Sequence, residues 1–236
     1  EAQMNYLNET YNKEKEIYLA RRIENEKTNA NEIKTLIDNL PSLDLENATY
    51  DELFNQLIQF DTINKQINKC YIGSLTNIDY DNYQTLFNNT LNKYVEIGSI
   101  TMNSYLDQLQ QFNTSYDLSV KEMNKLYQNI ETFYNNYNNN FMSNSSTIKP
   151  ILEEKYSTFT NNMFVINYYL ISNPHFYRLA AVKIAEKEID DIINKTYTKE
   201  QLKTKINDLD ILISHTDKDS ISNYNAYKYI CSLLDK

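Results

Sequence analysis

His175 and His215 are the only side chains in this sequence whose ordinary pKa lies near neutrality, and Cys70 and Cys231 are its only thiols. Acid-base, nucleophilic or metal chemistry would have to be assembled from these four and the carboxylates. A metal site needs three or four converging ligands, and neither histidine has a second His or Cys within helical reach. His175 follows Pro174 at a helix start and His215 sits near a helix end close to Asp217, so both read as structural or solvated. The distance between the cysteines excludes a CxxC redox or metal motif. Two readings of them stand: a Cys70–Cys231 disulfide, or two thiols packed as small apolar groups. An even count favours the bond in an exported chain, and closing so long a loop would stabilise the fold by about 4–5 kcal/mol in the chain-entropy model. Carboxylate neighbours such as Glu153 and Glu154, or Asp190 and Asp191, point to different sides of a helix and read as solvated surface. No GxSxG elbow, GxxxxGKS loop or HExxH pair occurs. The expectation is a protein that is not an enzyme, with no catalytic residue, no cofactor and no metal.

Recognition is the remaining chemistry, and tyrosine is the residue for it. The chain has 21 tyrosines and no tryptophan. Those on helix seams read as core. Tyr168, Tyr177 and Tyr229 lie off the seams and are the candidates for partner contact, because tyrosine is enriched at binding hot spots. Sequons at Asn8, Asn47, Asn88, Asn113, Asn144 and Asn194 do not establish a glycoprotein, since chance in so Asn-rich a sequence would produce most of them. The net charge of −9 argues against nucleic acid and anionic membrane as partners, since both need clustered Lys and Arg. The adjacent Arg21 and Arg22 sit among acidic residues and read as a solvated helix face. The most apolar run, 163–171, is about half of the roughly 20 residues that span a bilayer. It predicts a buried helix and no stable membrane span. The chain starts at Glu1 without a signal peptide, which leaves open that one was removed or that this is a piece of a longer protein.

The elements that must position these residues are helices. Only two glycines and three prolines leave little material for hairpins or phosphate-cradling loops. The clearest seam is Tyr116, Val120, Met123, Tyr127, Ile130, Tyr134, Tyr137 and Phe141, spaced alternately by four and three, the signature of a helix packed lengthwise on others. A first long helix is predicted from Met4 to Leu40, with Met4, Leu7, Tyr11 and Tyr18 on one stripe and Ile23, Ala30, Ile33, Ile37 and Leu40 on a later one, ended by Pro41. Its middle, RRIENEKTNANE, is poor in apolar residues. Thr49 with Glu52 forms a capping box that opens a helix running to near Gly73. A third helix spans Asp79 to Phe112, with Gly98 on its inward stripe allowing a close approach or bend. Asn-rich residues after Tyr137 predict a mobile loop. Pro150 suits the first turn of a fifth helix reaching Leu170, and Asn173 with Pro174 opens a sixth. Thr198 with Gln201 is a second capping box, and Asp219 or Ser220 caps the last helix.

No strand-like alternation persists. The fold predicted is all-α: an elongated antiparallel bundle of about seven to eight helices, several of them long, with no sheet. Residues 1–236 read as a single domain with a candidate hinge near 138–147. A domain of this size buries roughly 70–75% of the surface its unfolded chain exposes. With several seams of similar length in one chain, a monomer is the simpler reading.

Excess Asn, Tyr, Ile and Lys, with Lys far above Arg, is the dialect of an A/T-rich genome. Long helices written in it, such as NKLYQNIETFYNNYNNNF and EEKYSTFTNNMFVINYYL, resemble those of the reticulocyte-binding-like helical invasion ligands of malaria parasites. The likeness is one of style over most of the chain. It implies a non-enzymatic adhesion ligand, secreted from an apical organelle, that binds a host-cell surface protein. Cys70 and Cys231 depart from the shorter-range disulfides of that family. A membrane-acting bundle exposing 163–181 on activation, and an internal scaffold or rod segment, are the alternatives.

Overall fold

The computed structural model describes residues 2–70, 73, 75–111, 116–172 and 175–234, with side chains given for all of these except 171, 172 and 175–177. Among them there are nine α-helices and no strand, the all-α bundle expected. They are α1 (Ala2–Asp38), α2 (Tyr50–Ile67), α3 (Tyr80–Gln111), α4 (Val120–Tyr137), α5 (Ile148–Lys155), α6 (Ser157–Asn167), α7 (His175–Asn194), α8 (Lys199–Ser214) and α9 (Tyr224–Leu234). The expected ends at Phe112 and Asn173 lie outside the described residues. The contacts group the chain into two compact units, Glu1–Gly98 with Ser145–Ile151, and Ser99–Asn144 with Leu152–Lys236.

In the first unit α2 is the buried element. Its capping box is formed as predicted: the Thr49 side chain accepts from the Glu52 amide and the Glu52 carboxylate accepts from the Thr49 amide at 2.8 Å. Leu53, Leu57 and Phe60 are fully buried. The Phe60 ring meets Tyr83 and Phe87 of α3 at 5.5 and 5.3 Å. The Tyr83 hydroxyl donates to Asn64 Oδ1 at 2.8 Å and the Tyr50 and Tyr94 hydroxyls bond at 2.7 Å, so these tyrosines bury rings while their polar ends find partners. From α1 only Ala30 and Ile33 are buried. Gly98, on the inward face of α3, is buried as well.

In the second unit α4 is the spine. Every seam residue from Val120 to Phe141 is buried, and α4 packs against α6, α7 and α8. Tyr116 precedes the helix, which is opened by a capping box of Ser119 and Glu122. Tyr137 meets Phe159 of α6 edge-on at 5.6 Å, and Tyr105 of α3 meets Phe133 at 5.6 Å. The predicted box at Thr198 and Gln201 opens α8.

Several expectations change, the end of α2 at Ile67 and not near Gly73 among them. The Asn-rich tract does not fray into a mobile loop: α4 widens into a π-helical turn, Asn138–Met142, closed by the Ser143 amide on the Asn138 carbonyl at 2.8 Å. Burial of Phe141 at the end of the seam holds that turn to the core. The single fifth helix is broken at Tyr156, whose φ of −124° and ψ of 41° separate α5 from α6. The last helix starts at Tyr224. Asp217 caps a short 3₁₀ turn, Lys218–Ser220, in place of the cap expected at Asp219 or Ser220.

Candidate functional site

Of the three tyrosines proposed for partner contact, Tyr168 is 51% exposed and Tyr229 is 66% exposed, while the Tyr177 side chain lies outside the described residues. Tyr168 follows directly on α6, at the start of a second π-helical turn, Tyr168–Ser172. Two α6 residues join it: Phe164, 58% exposed, and Val165, 41% exposed, four and three positions earlier and so on the same flank of the helix. Tyr169 packs against Tyr168 edge-on at 6.2 Å, stiffening the ring. Met163 and Ile166 face the other way and are fully buried, which anchors the helix beneath the patch. Sequence reasoning found Tyr168 but left Phe164 and Val165 in a run read as a buried helix. The seam through Phe159, Met163 and Ile166 already marked them as off-seam.

The second apolar surface lies in the other unit. Met4, Leu7, Tyr11 and Tyr18, the predicted first stripe of α1, are 62–65% exposed, and residues 2–25 are exposed throughout. Arg22 pairs with Glu26 at 3.1 Å on this helix, the solvated i,i+4 contact expected of it.

Several of the groups considered for catalysis have partners within the fold. Cys70 and Cys231 are both half-buried and form no disulfide; they belong to different units, and the Cys231 thiol is engaged with the Tyr227 hydroxyl. Burial, together with a 2.6 Å hydrogen bond to Asp210, pushes Tyr227 far above the ordinary phenol value, so it stays neutral and clamps α9 to α8. Asp190 accepts from Asn223 at 2.8 Å and Asp191 pairs with Lys195 at 3.0 Å, so these neighbours serve different partners. Glu186 on α7 accepts from the Ser222 amide at 2.9 Å and its hydroxyl at 2.7 Å. Burial opposes its charge, but these bonds and Lys183 hold its carboxyl below the usual range. The side chain of His175 is outside the described residues, and His215 stacks on Tyr127 with ring centres 4.0 Å apart. No group of three or more His, Cys, Asp or Glu that could hold a metal occurs among the described residues. No described helix is long and apolar enough to cross a membrane.

Compared with protein-family models, with curated proteins and with solved structures, the chain matches none.

Proposed function

We propose that this chain is a non-enzymatic adhesion domain that binds a host-cell surface protein during cell invasion, through the face formed by Phe164, Val165 and Tyr168. What supports the reading is that patch: three contiguous apolar side chains, one a tyrosine, held outward on a helix whose opposite side is anchored in the core. The likeness of the helices to reticulocyte-binding-like ligands adds the partner class, and with it release from an apical organelle and a secreted or parasite-surface location. The test is binding of the purified chain to intact host cells, reticulocytes first, before and after protease treatment. Binding should vanish with the treatment and weaken by at least roughly tenfold in a Phe164→Ser, Tyr168→Ala double variant of unchanged helicity. Equal binding to protease-stripped cells would defeat the proposal.

A scaffold or rod segment is the second reading, and α1 is the observation that favours it. A stripe at steps of three, four and seven with no covering element among the described residues of its own unit suits lengthwise contact with another helix. The membrane-acting alternative draws on 163–181, whose Met163, Ile166, Ala180 and Ala181 are fully buried. Leakage of dye from liposomes by the purified chain would favour it over adhesion.

A further inference from the structure

The exposed apolar side chains of the described residues are concentrated on the front of α1, where nearly half of the large ones fall within residues 2–25. Met4, Leu7, Tyr11 and Tyr18 occupy a and d positions of a heptad whose other d positions are Glu14 and Arg21. The buried anchors of α1, Ala30 and Ile33, come after this stretch, and a helix without tertiary packing is marginal in water. Charge selects what can cover the stripe. Residues 2–25 carry four acidic and four basic side chains, so an anionic membrane exerts no net attraction on them. Two copies paired parallel and in register would set Glu14 on Glu14 and Arg21 on Arg21, contacts of like charge. An antiparallel pair with Leu7 of one copy against Tyr18 of the other has neither contact. Tyr11 then faces Glu14 of the other copy, a phenol donor against a carboxylate acceptor, and symmetry repeats the contact. On the flanks Asn8 lies beside Lys15 and Thr10 beside Ile17. A slide of one heptad toward the C-terminus would set Lys15 against Lys15, and a slide the other way would leave Tyr18 outside the overlap.

We infer that the front of α1 pairs with a second copy of this chain, antiparallel and two-fold symmetric, over residues 4–21. The overlap is about 27 Å long, and the anchors Ala30 and Ile33 of the two copies fall beyond its opposite ends. Met4, Leu7, Tyr11 and Tyr18 are 62–65% exposed and present roughly 100 Å² each, so two copies bury about 1,000 Å² once the stems of Lys15 and Arg21 are added. That area is at the lower limit for specific pairing, so the dimer is weak, with a Kd on the order of 100 µM. Below that concentration the chain is monomeric and the stripe is bare. The pairing stands apart from the adhesion face and does not depend on that reading.

Sedimentation equilibrium of the full chain from about 5 µM to about 1 mM tests it, and should show monomer passing to dimer with no larger species. Leu7→Glu with Tyr18→Glu, on exposed positions and with a good helix former, should raise the Kd by at least roughly tenfold and leave the unfolding midpoint unchanged. Tyr6→Glu, on another side of α1, should leave the Kd as it was. Orientation is read from disulfide cross-links in a Cys70→Ser, Cys231→Ser background, with copper phenanthroline as oxidant. A Leu7→Cys chain should join a Tyr18→Cys chain, and neither should join its own kind. The proposal is overturned by a monomer at about 1 mM, or by a dimer that survives the double change or is lost equally in Tyr6→Glu. Leu7→Cys chains that join each other would mean a parallel pair and overturn it too. So would binding to phosphatidylserine-containing vesicles that the double change removes, which would give the stripe to a membrane.

Discussion

Ser145 Oγ donates to the Asp61 carboxylate at 2.6 Å, across 84 residues of sequence. Thr147 Oγ1 donates to the same oxygen, Lys65 holds the other at 2.6 Å, and Ser145 Oγ in turn accepts from the Ile148 amide at 2.8 Å. A buried carboxylate thus fastens the end of the Asn-rich tract to α2 and caps α5. Burial opposes the charge, but these hydrogen bonds and the charge of Lys65 outweigh it and hold the Asp61 carboxyl below its ordinary value. Asp61→Ala leaves two hydroxyls without their acceptor and should lower unfolding free energy by about 2–4 kcal/mol. Asp61→Asn, which keeps one acceptor, should lower it by about half as much. Urea denaturation of the two variants measures the difference, and an unchanged midpoint for both would show that the clasp contributes nothing.

Acid should weaken the fold through the same group. Asp61 and Glu186 both have folded carboxyls below their ordinary values of 3.8 and 4.5. Their stabilisation is present in full above those values and is lost as pH falls through the lowered folded ones. Stability should therefore be level from neutrality down to about pH 5 and fall below about pH 4. Asp61→Asn should flatten part of that fall. Denaturation midpoints taken at stepped pH provide the check, and an identical acid limb in the variant would remove Asp61 from the account.

How far the sequence could be read depended on what periodicity measures. The α4 seam from Val120 to Phe141 was legible because a step of four and three reports one helical face directly, and that face is buried. The same pattern at Met4, Leu7, Tyr11 and Tyr18 gave an exposed stripe, because spacing shows which side is apolar and not whether anything in the fold covers it. The break at Tyr156 was invisible, since Leu152, Tyr156 and Phe159 keep the seam spacing through it. The tract 138–147 looked like a loop on composition alone, while its order comes from Phe141 in the core and from an aspartate on another helix. Tyr168 could be picked out as an off-seam residue. The stack of His215 on Tyr127 could not, because nothing local links the two positions.

Alkali should act on the buried tyrosines. Burial pushes Tyr137 up to about 12, and it moves Tyr83 and Tyr227 well above the ordinary 10.0. With the folded value raised, the stabilisation is complete below about pH 10 and is lost as pH climbs toward the folded value. A spectrophotometric titration should show a class of phenols that ionises only as the helical signal disappears. Tyr83→Phe should shrink that class and cost about 1–2 kcal/mol, because Asn64 Oδ1 loses its 2.8 Å donor in a buried site. Full ionisation of every tyrosine at pH 11 with helicity intact would contradict the burial of these rings.

The front of α1 should behave unlike the rest of the chain. Its residues 2–25 are all exposed, and the buried anchors Ala30 and Ile33 come after them. Helix there rests on local bonds such as Arg22 to Glu26, which contribute a few tenths of a kcal/mol each, and a helix without tertiary packing is marginal in water. Deleting residues 1–24 should therefore change unfolding free energy by less than about 0.5 kcal/mol. In hydrogen exchange the amides of 2–25 should exchange far sooner than those of α4, whose seam opens only with the unit. Raising the protein concentration separates the remaining possibilities. Slow exchange in the front of α1 that strengthens with concentration would mean that the Met4 to Tyr18 stripe is covered by a second copy. Slow exchange independent of concentration would mean that it is covered within the chain, contrary to its exposure here.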